Sequence, residues 1–126
     1  MIEHEGPGWR VARDSSRSRF PVIIGGDGWA IELSEKEWIS LIEIIKDLTN
    51  QHKKLDNVLM PDESVCLEIE KHSWWGCLDG DKKSWSLQLV LESNENHYRG
   101  FEVFWPVPAA QSVTCAMRTI WDSCNN

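Results

Sequence analysis

The segment GGDGWAIELSEKEW, residues 25–38, joins a glycine-rich turn to the start of a helix. Asp27-Gly28 is a dipeptide typical of two-residue hairpin loops, in which positive φ is required. Residues 29–33 alternate apolar and polar side chains, which predicts a strand. Ser34 and Glu37 form a capping box, and the apolar residues that follow recur on one face, so a helix is predicted from about residue 35 to 52.

The glycines suggest a phosphate-binding loop, but the order of the elements argues against one. In such a loop the glycines lead directly into a helix N-terminus, whose free N–H groups bind the anion. Here the strand 29–33 separates Gly28 from the helix. The sequence also contains neither a Walker motif nor a Gly-x-Gly-x-x-Gly pattern. The glycines are therefore interpreted as a tight turn.

Strand patterns flank this segment on both sides, and a second helical pattern begins at Pro108. The segment WWGCLDGDKK, residues 74–83, contains a further Asp-Gly pair and is interpreted as a turn region. The other predicted strands are residues 8–13, 20–26, 64–72, 84–92 and 98–105.

The predicted order of elements is β-β-β-α-β-β-β-α, in a single domain that spans residues 1–126. The stretches GWAIELSEKEWISLIEII and GFEVFWPVPAAQSVTCAMRTI share a glycine, an aromatic residue, a strand bearing an acidic residue and an amphipathic helix. This weak repeat favours an α+β fold with a mostly antiparallel sheet and two helices, built as a pseudo-repeat of two sheet-plus-helix halves.

Charge and hydropathy narrow the class of protein. The net charge is −7, which disfavours generic binding to polyanions. No apolar run approaches the roughly 18 residues of a membrane span, and the N-terminal residues do not resemble a secretory signal. A cytoplasmic protein without membrane association is expected.

The four cysteines, at positions 66, 77, 115 and 124, form no Cys-x-x-Cys pair. No histidine stands at a spacing typical of zinc ligands. Reduced structural thiols are therefore expected, with no metal, no cofactor and no disulfide.

The sequence resembles a family of small cyanobacterial proteins known only as domain of unknown function 1818. The resemblance lies in GWR near the start, GGDGWAIELSEKEW, LEIE after the helix and RGFEVFWP before the last helix, and it covers nearly the whole chain. It implies a fold similar to the single-stranded-DNA-binding transcriptional regulators of the Whirly and p15-coactivator group. It implies no activity, and a fold alone confers none.

Residues with catalytic chemistry are present but not in catalytic patterns. Glu68 and Glu70 lie on one side of a strand, about 6.5–7 Å apart, which is a separation found in glycosidases. A chain of this length has no surplus for the deep cleft that a glycosidase needs. Asp79 and Asp81 lack the remaining ligands of a calcium loop. The histidines cannot be paired with a nucleophile by spacing, so no enzyme is expected.

Two binding functions remain open. The preferred one is a non-enzymatic binding or assembly protein whose partner is another protein, contacted through exposed aromatic residues at Trp74, Trp75 and Phe104. The alternative is a single-stranded nucleic-acid-binding or transcription-regulatory protein that uses an arginine-rich loop. Residues 10–19 carry +3, which leaves −10 for the rest of the chain. The candidate contacts for this alternative are Trp9, Arg10, Arg13, Arg17 and Arg19.

Overall fold

The computed structural model describes residues 1–93 and 99–125. Two antiparallel four-stranded sheets are each followed by a helix, which confirms the predicted α+β class and the two sheet-plus-helix halves. The first half contains β1 (Ile2–Gly6), β2 (Trp9–Arg13), β3 (Val22–Gly26), β4 (Trp29–Leu33) and α1 (Glu35–Lys54). The second half contains β5 (Val65–Lys71), β6 (Trp74–Gly80), β7 (Trp85–Leu91), β8 (Phe101–Trp105) and α2 (Ala109–Asn125). In both sheets the strands are neighbours in chain order.

Each half contains one strand more than the three that the sequence predicts. β1 is an edge strand that pairs only with β2, and its segment IEHEG is mostly exposed and shows no alternation of apolar and polar residues. β6 was interpreted as a turn region because of Asp79-Gly80. It is instead an inner strand of the second sheet, and the chain reverses only after Gly80. The predicted start of the last strand at Tyr98 lies outside the described residues.

Gly76 explains why β6 does not have the pattern of a typical strand. A Cβ atom at this position would lie 3.1 Å from Leu48 Cδ1 and 3.3 Å from Ile44 Cδ1. Both leucine and isoleucine belong to α1, which packs directly across β5 and β6. The glycine therefore interrupts the apolar alternation at a point where side chains of the helix pack against the strand.

The predicted turn at Asp27-Gly28 is confirmed. Gly26 pairs with Trp29 across β3 and β4, which leaves a two-residue loop, and Gly28 has φ of 76°. Pro7-Gly8 forms a loop of the same length between β1 and β2, with φ of 78° at Gly8.

Replacement of Gly28 by valine is expected to lower the free energy of unfolding by about 1–2 kcal/mol, because a β-branched residue is strained at positive φ. No heavy atom lies within 4 Å of the added Cβ, so the effect reports backbone strain rather than a clash. Urea unfolding followed by circular dichroism measures the change. Gly28→Asn is the control, since asparagine tolerates this conformation. Equal stability of the valine variant and the wild type would contradict the turn assignment.

The predicted capping box is also present. Ser34 Oγ accepts a hydrogen bond from Glu37 N at 3.2 Å, and Glu37 Oε1 accepts one from Ser34 N at 2.8 Å. Arg99, from the segment before β8, donates to the same carboxylate oxygen at 2.6 Å. The start of α1 is therefore fixed by its own cap and by a contact from the second half of the chain.

Ser34→Ala is expected to cost about 1 kcal/mol of stability, since it removes the acceptor for the Glu37 N–H. Ser34→Thr keeps a hydroxyl at the cap and is expected to stay close to the wild type. Thermal and urea unfolding of the three proteins provide the comparison. If alanine and threonine have the same effect, the hydroxyl does not stabilise the helix start.

The two helices pack crosswise between the halves. α1 follows the first sheet but packs on β5 and β6 of the second, whereas α2 follows the second sheet and packs on β1 and β2 of the first and on β7. One hydrophobic cluster contains residues from both sheets and both helices. None of the helices in the described ranges is both long enough and apolar enough to cross a membrane.

Candidate interaction surfaces

The outward side of the second sheet is the first candidate surface. The register places alternate residues of β5 to β8 on this side, while their neighbours Leu78, Leu87 and Leu89 lie in the core. We call this surface the acidic outer face. Its residues are Cys66, Glu68, Glu70, Trp75, Cys77, Asp79, Ser86, Gln88, Val90, Glu102 and Phe104.

Two of the three predicted interface aromatics lie on this face. Phe104 is 52% exposed and Trp75 is half-buried. Both lie next to β7: Trp75 of β6 pairs with Val90, and Phe104 of β8 pairs with Gln88, the next residue of β7 on the same face. The surface therefore combines two aromatic side chains that are only two strands apart.

Trp74 does not belong to this surface. It is only 1% exposed and packs edge-on against Phe101, with ring centroids 5.8 Å apart. Consecutive residues of a strand point to opposite sides, so only one tryptophan of the pair can face solvent. The sequence alone did not show which, because β6 was not identified as a strand.

Four exposed carboxylates lie on the same face as the two aromatics. In the described part of the chain, none of these side chains lies within ion-pair distance of a cationic group. The residues are Glu68, Glu70, Asp79 and Glu102. The face is therefore negatively charged and uncompensated, which repels a phosphate backbone and attracts a basic protein surface.

Two cysteines far apart in the sequence meet on the same face. Cys66 Sγ and Cys77 Sγ are 3.0 Å apart, and a carboxylate oxygen of Glu68 lies within 4.8 Å of both. Cys66 is exposed, whereas Cys77 is 8% exposed. Burial, together with the hydrogen bond that its S–H makes to Cys66, raises the pKa of the Cys77 thiol to about 12.

The arginines of residues 10–19 do not form an open cationic groove. Each of three arginines has a carboxylate partner: Arg10 pairs with Glu3 at 3.1 Å, Arg13 with Glu35 at 2.9 Å, and Arg17 with Glu32. Arg19 lies over the Phe20 ring, 5.4 Å from its centroid. Trp9, the predicted stacking residue, packs against the hydrophobic core. The charge excess of this segment is largely neutralised in the fold.

The loop that carries Arg17 and Arg19 is held by specific hydrogen bonds. Asp14 N donates to Pro21 O at 2.8 Å, which closes the loop at its base. The Asp14 carboxylate accepts from Ser16 N and Ser16 Oγ at 3.1 and 2.6 Å. These bonds lower the pKa of Asp14. Hydrogen bonds within the segment therefore hold the loop in one conformation.

We expect no binding to a single-stranded oligonucleotide tighter than about 10 μM at physiological salt. Contact with phosphates would require the arginines to exchange their glutamate partners, and the remaining charge of the chain opposes approach. Fluorescence anisotropy with a mixed-sequence strand measures the affinity. If all four arginines contacted phosphates, log K would fall with log salt with a slope near −3, at about −0.7 per contact.

The control for this measurement is a variant with Arg10, Arg13, Arg17 and Arg19 changed to serine. Weak binding that is the same in both proteins fits the expectation. Sub-micromolar binding that the four changes abolish would make this loop the functional site.

A cleft of about 250 Å³ opens between α1 and α2. Two of its polar side chains donate hydrogen bonds within the protein: Gln111 Nε2 to Lys83 O at 2.9 Å, and Thr114 Oγ1 to Ala110 O at 2.8 Å. Sequence patterns did not indicate this cleft, which requires the crosswise packing of the helices. We assign it no ligand.

A solved structure shows the same fold. It is the crystal structure, at 1.80 Å resolution, of a protein of unknown function from Prochlorococcus sp. NATL2A, described as a DUF155 family member. The two proteins are 45% identical, with a TM-score of 0.89, and the match covers 96% of this chain and 99% of the other. No curated protein matches the chain.

The family assignment rests on most of the sequence. The family described as domain of unknown function DUF1818 matches residues 4–120. This name differs from the family in the description of the Prochlorococcus structure, and the match over this chain's own sequence is the more direct assignment. The chain belongs to the DUF1818 family.

Proposed function

We propose that the protein is a non-enzymatic cytoplasmic binding or assembly protein, and that it contacts a basic partner protein through the acidic outer face. The observation that supports this most directly is the position of Phe104, which is 52% exposed on a sheet face that also carries Trp75. An exposed aromatic side chain surrounded by charged residues is typical of a binding hot spot with a polar rim.

The charge of the face defines the chemistry of the partner. The four carboxylates of the face lack cationic partners among the described residues, so a partner with lysine and arginine side chains at its rim would compensate them. Such rim charges increase the association rate and make it depend on salt. The face would repel a nucleic acid, because both are negatively charged.

The structural similarity to the Whirly and p15-coactivator group is also part of the proposal. Its support is the repetition of a four-stranded sheet followed by a helix. The ion pairs of Arg10, Arg13 and Arg17 weigh against carrying over the nucleic-acid function of that group. We therefore propose a related fold that binds protein.

The test is affinity capture from a lysate of the source organism, with and without nuclease treatment. The bait proteins are the wild type, a face variant (Phe104→Ser with Glu102→Lys) and a control variant, Val58→Ser. Val58 is 71% exposed but lies in the connection between α1 and β5, outside the strands that form the face. Circular dichroism first establishes that all three proteins are folded.

We expect the wild type and the Val58→Ser control to capture a protein that stays bound after nuclease treatment and elutes as the salt concentration is raised. The face variant should fail to capture it. Retention by the face variant would show that another surface binds the protein. Loss of the captured protein after nuclease treatment would instead indicate a nucleic acid as the direct partner.

A further inference from the structure

We propose that Cys66, Cys77 and Glu68 form a zinc-binding site on the acidic outer face. The site goes beyond the proposed protein-binding function and does not depend on it. Two thiols and a carboxylate are ligand types that zinc binds in proteins, usually in tetrahedral geometry. Here three such groups converge within 4.8 Å of one another.

The strand register creates this convergence. Glu68 stands directly opposite Cys77 across β5 and β6, and Cys66 lies two residues before Glu68 on the same side of β5. The three side chains therefore occupy neighbouring positions on two paired strands, the edge strand β5 and the inner strand β6. Sites on regular elements hold their ligands more reproducibly than sites on loops.

The distances need only small side-chain adjustments. In a tetrahedral site with Zn–S of about 2.3 Å and Zn–O of about 2.1 Å, the two sulfurs are about 3.8 Å apart and each sulfur is about 3.6 Å from the oxygen. The sulfurs are now 3.0 Å apart, so they must separate by about 0.8 Å. The carboxylate must approach from its present position, within 4.8 Å. Rotation of the exposed Cys66 and Glu68 side chains provides this movement without any change in the strands.

The electrostatic setting favours a dication over an anionic occupant. Glu70 and Asp79 lie on the same face, two residues beyond Glu68 on β5 and Cys77 on β6, respectively. Neither carboxylate has a cationic partner in the described ranges. Three protein ligands leave the fourth zinc position on the solvent side, open to water.

The experiment titrates the reduced, metal-free protein with Co²⁺, which serves as a spectroscopic probe for zinc. A near-ultraviolet sulfur-to-cobalt charge-transfer band that saturates at one Co²⁺ per chain is expected, and Zn²⁺ should displace it. Zinc binding should also release protons, because thiols lose theirs on coordination. Proton release provides a second readout that does not depend on the absorption band.

Matched variants locate the ligands. Cys66→Ser is expected to weaken zinc binding by more than about 100-fold, beyond the 10–100-fold that loss of an outer-shell partner costs. Glu68→Gln is expected to weaken it at least tenfold without removing the charge-transfer band. Cys115→Ser is the control, because Cys115 is an exposed cysteine on α2, outside the face. Cys66 and Glu68 are both exposed, so these variants should fold normally.

Three outcomes would overturn the site. These are the absence of a charge-transfer band, an affinity that is unchanged in Cys66→Ser, and a band lost in Cys115→Ser. A Cys66–Cys77 disulfide that persists in the presence of a reducing thiol and blocks cobalt binding would also exclude the zinc site. The sequence-based expectation of no metal would then stand.

Discussion

Trp105→Ala is expected to lower the free energy of unfolding by about 3–5 kcal/mol, the largest effect among the substitutions considered for stability. Trp105 is fully buried at the end of β8. Its Nε1 donates a hydrogen bond to Gly25 O at 2.9 Å, and its ring centroid lies 5.7 Å from that of Trp29. One side chain of the second sheet thus packs on, and bonds to, the last two strands of the first sheet.

Two further variants separate the contribution of the hydrogen bond from that of the buried apolar volume, and compare Trp105 with a less buried tryptophan. Trp105→Phe retains most of the apolar volume but removes the hydrogen bond, so a smaller loss of about 1–2 kcal/mol is expected. Trp121→Ala removes a half-buried tryptophan near the end of α2 and should cost less than Trp105→Ala. Urea unfolding followed by circular dichroism provides the free energies. If Trp105→Ala costs no more than Trp121→Ala, the contact between the sheets does not stabilise the fold as argued.

The features that the sequence predicted correctly depend on residues close together in the chain. The Asp27-Gly28 turn requires one residue with positive φ, and the capping box requires two residues three positions apart. Such signals do not depend on the rest of the fold. The helical faces also followed from local periodicity, and the predicted apolar residues of α1 are buried.

β6 was missed because the chain turns just after the Asp79-Gly80 pair, which ends the strand instead of forming the turn. The reversal occurs at residues 81–84, where the Asp81 carboxylate accepts hydrogen bonds from Lys83 N and Ser84 N, both at 2.9 Å. These bonds lower the pKa of Asp81. His52 of α1 also contacts Asp81 O at 2.8 Å, which ties this turn to the helix.

The meeting of Cys66 and Cys77 was unpredictable for a related reason. It requires the β5–β6 register, which is set by the two-residue turn at His72-Ser73. That turn has none of the usual glycine or asparagine signals, and His72 adopts φ of 59°. Its ring lies 3.1 Å from a Glu43 oxygen on α1, 29 positions away in the chain. Without the helix in place, sequence rules offer no reason to put a turn there.

The ion pairs of the arginines were likewise not predictable from the sequence alone. The segment's excess of positive charge is evident in the sequence, but its partners Glu3, Glu32 and Glu35 lie 7 to 22 positions away from the arginines they meet. Local charge counts therefore overestimated the cationic character of this surface. The acidic outer face depends on the fold in the same way, because its carboxylates come from β5, β6 and β8 and become one surface only in the sheet.

Phe104→Ala is expected to weaken binding of the captured partner by at least about 30-fold, which corresponds to about 2 kcal/mol, the usual threshold of a hot spot. Phe104 is the large aromatic of the acidic outer face with the greater exposure. Its burial by a partner would therefore remove the most apolar area from water. Because the side chain is already 52% exposed, the substitution should leave stability within about 0.5 kcal/mol of the wild type.

The affinity is measured by calorimetry with the purified partner, at two salt concentrations. Glu102→Gln, in the row next to Phe104, should mainly reduce the salt dependence and the association rate, since it removes a rim charge and no apolar contact. Val58→Ser, at an exposed apolar site off the face, should bind like the wild type. A partner whose affinity falls with Val58→Ser but not with Phe104→Ala would place the interface on the α1–β5 connection and refute the assignment to the sheet. If Phe104→Ala strongly weakens binding but Glu102→Gln leaves the salt dependence unchanged, the aromatic side chain contacts the partner and Glu102 does not contribute to the electrostatic attraction.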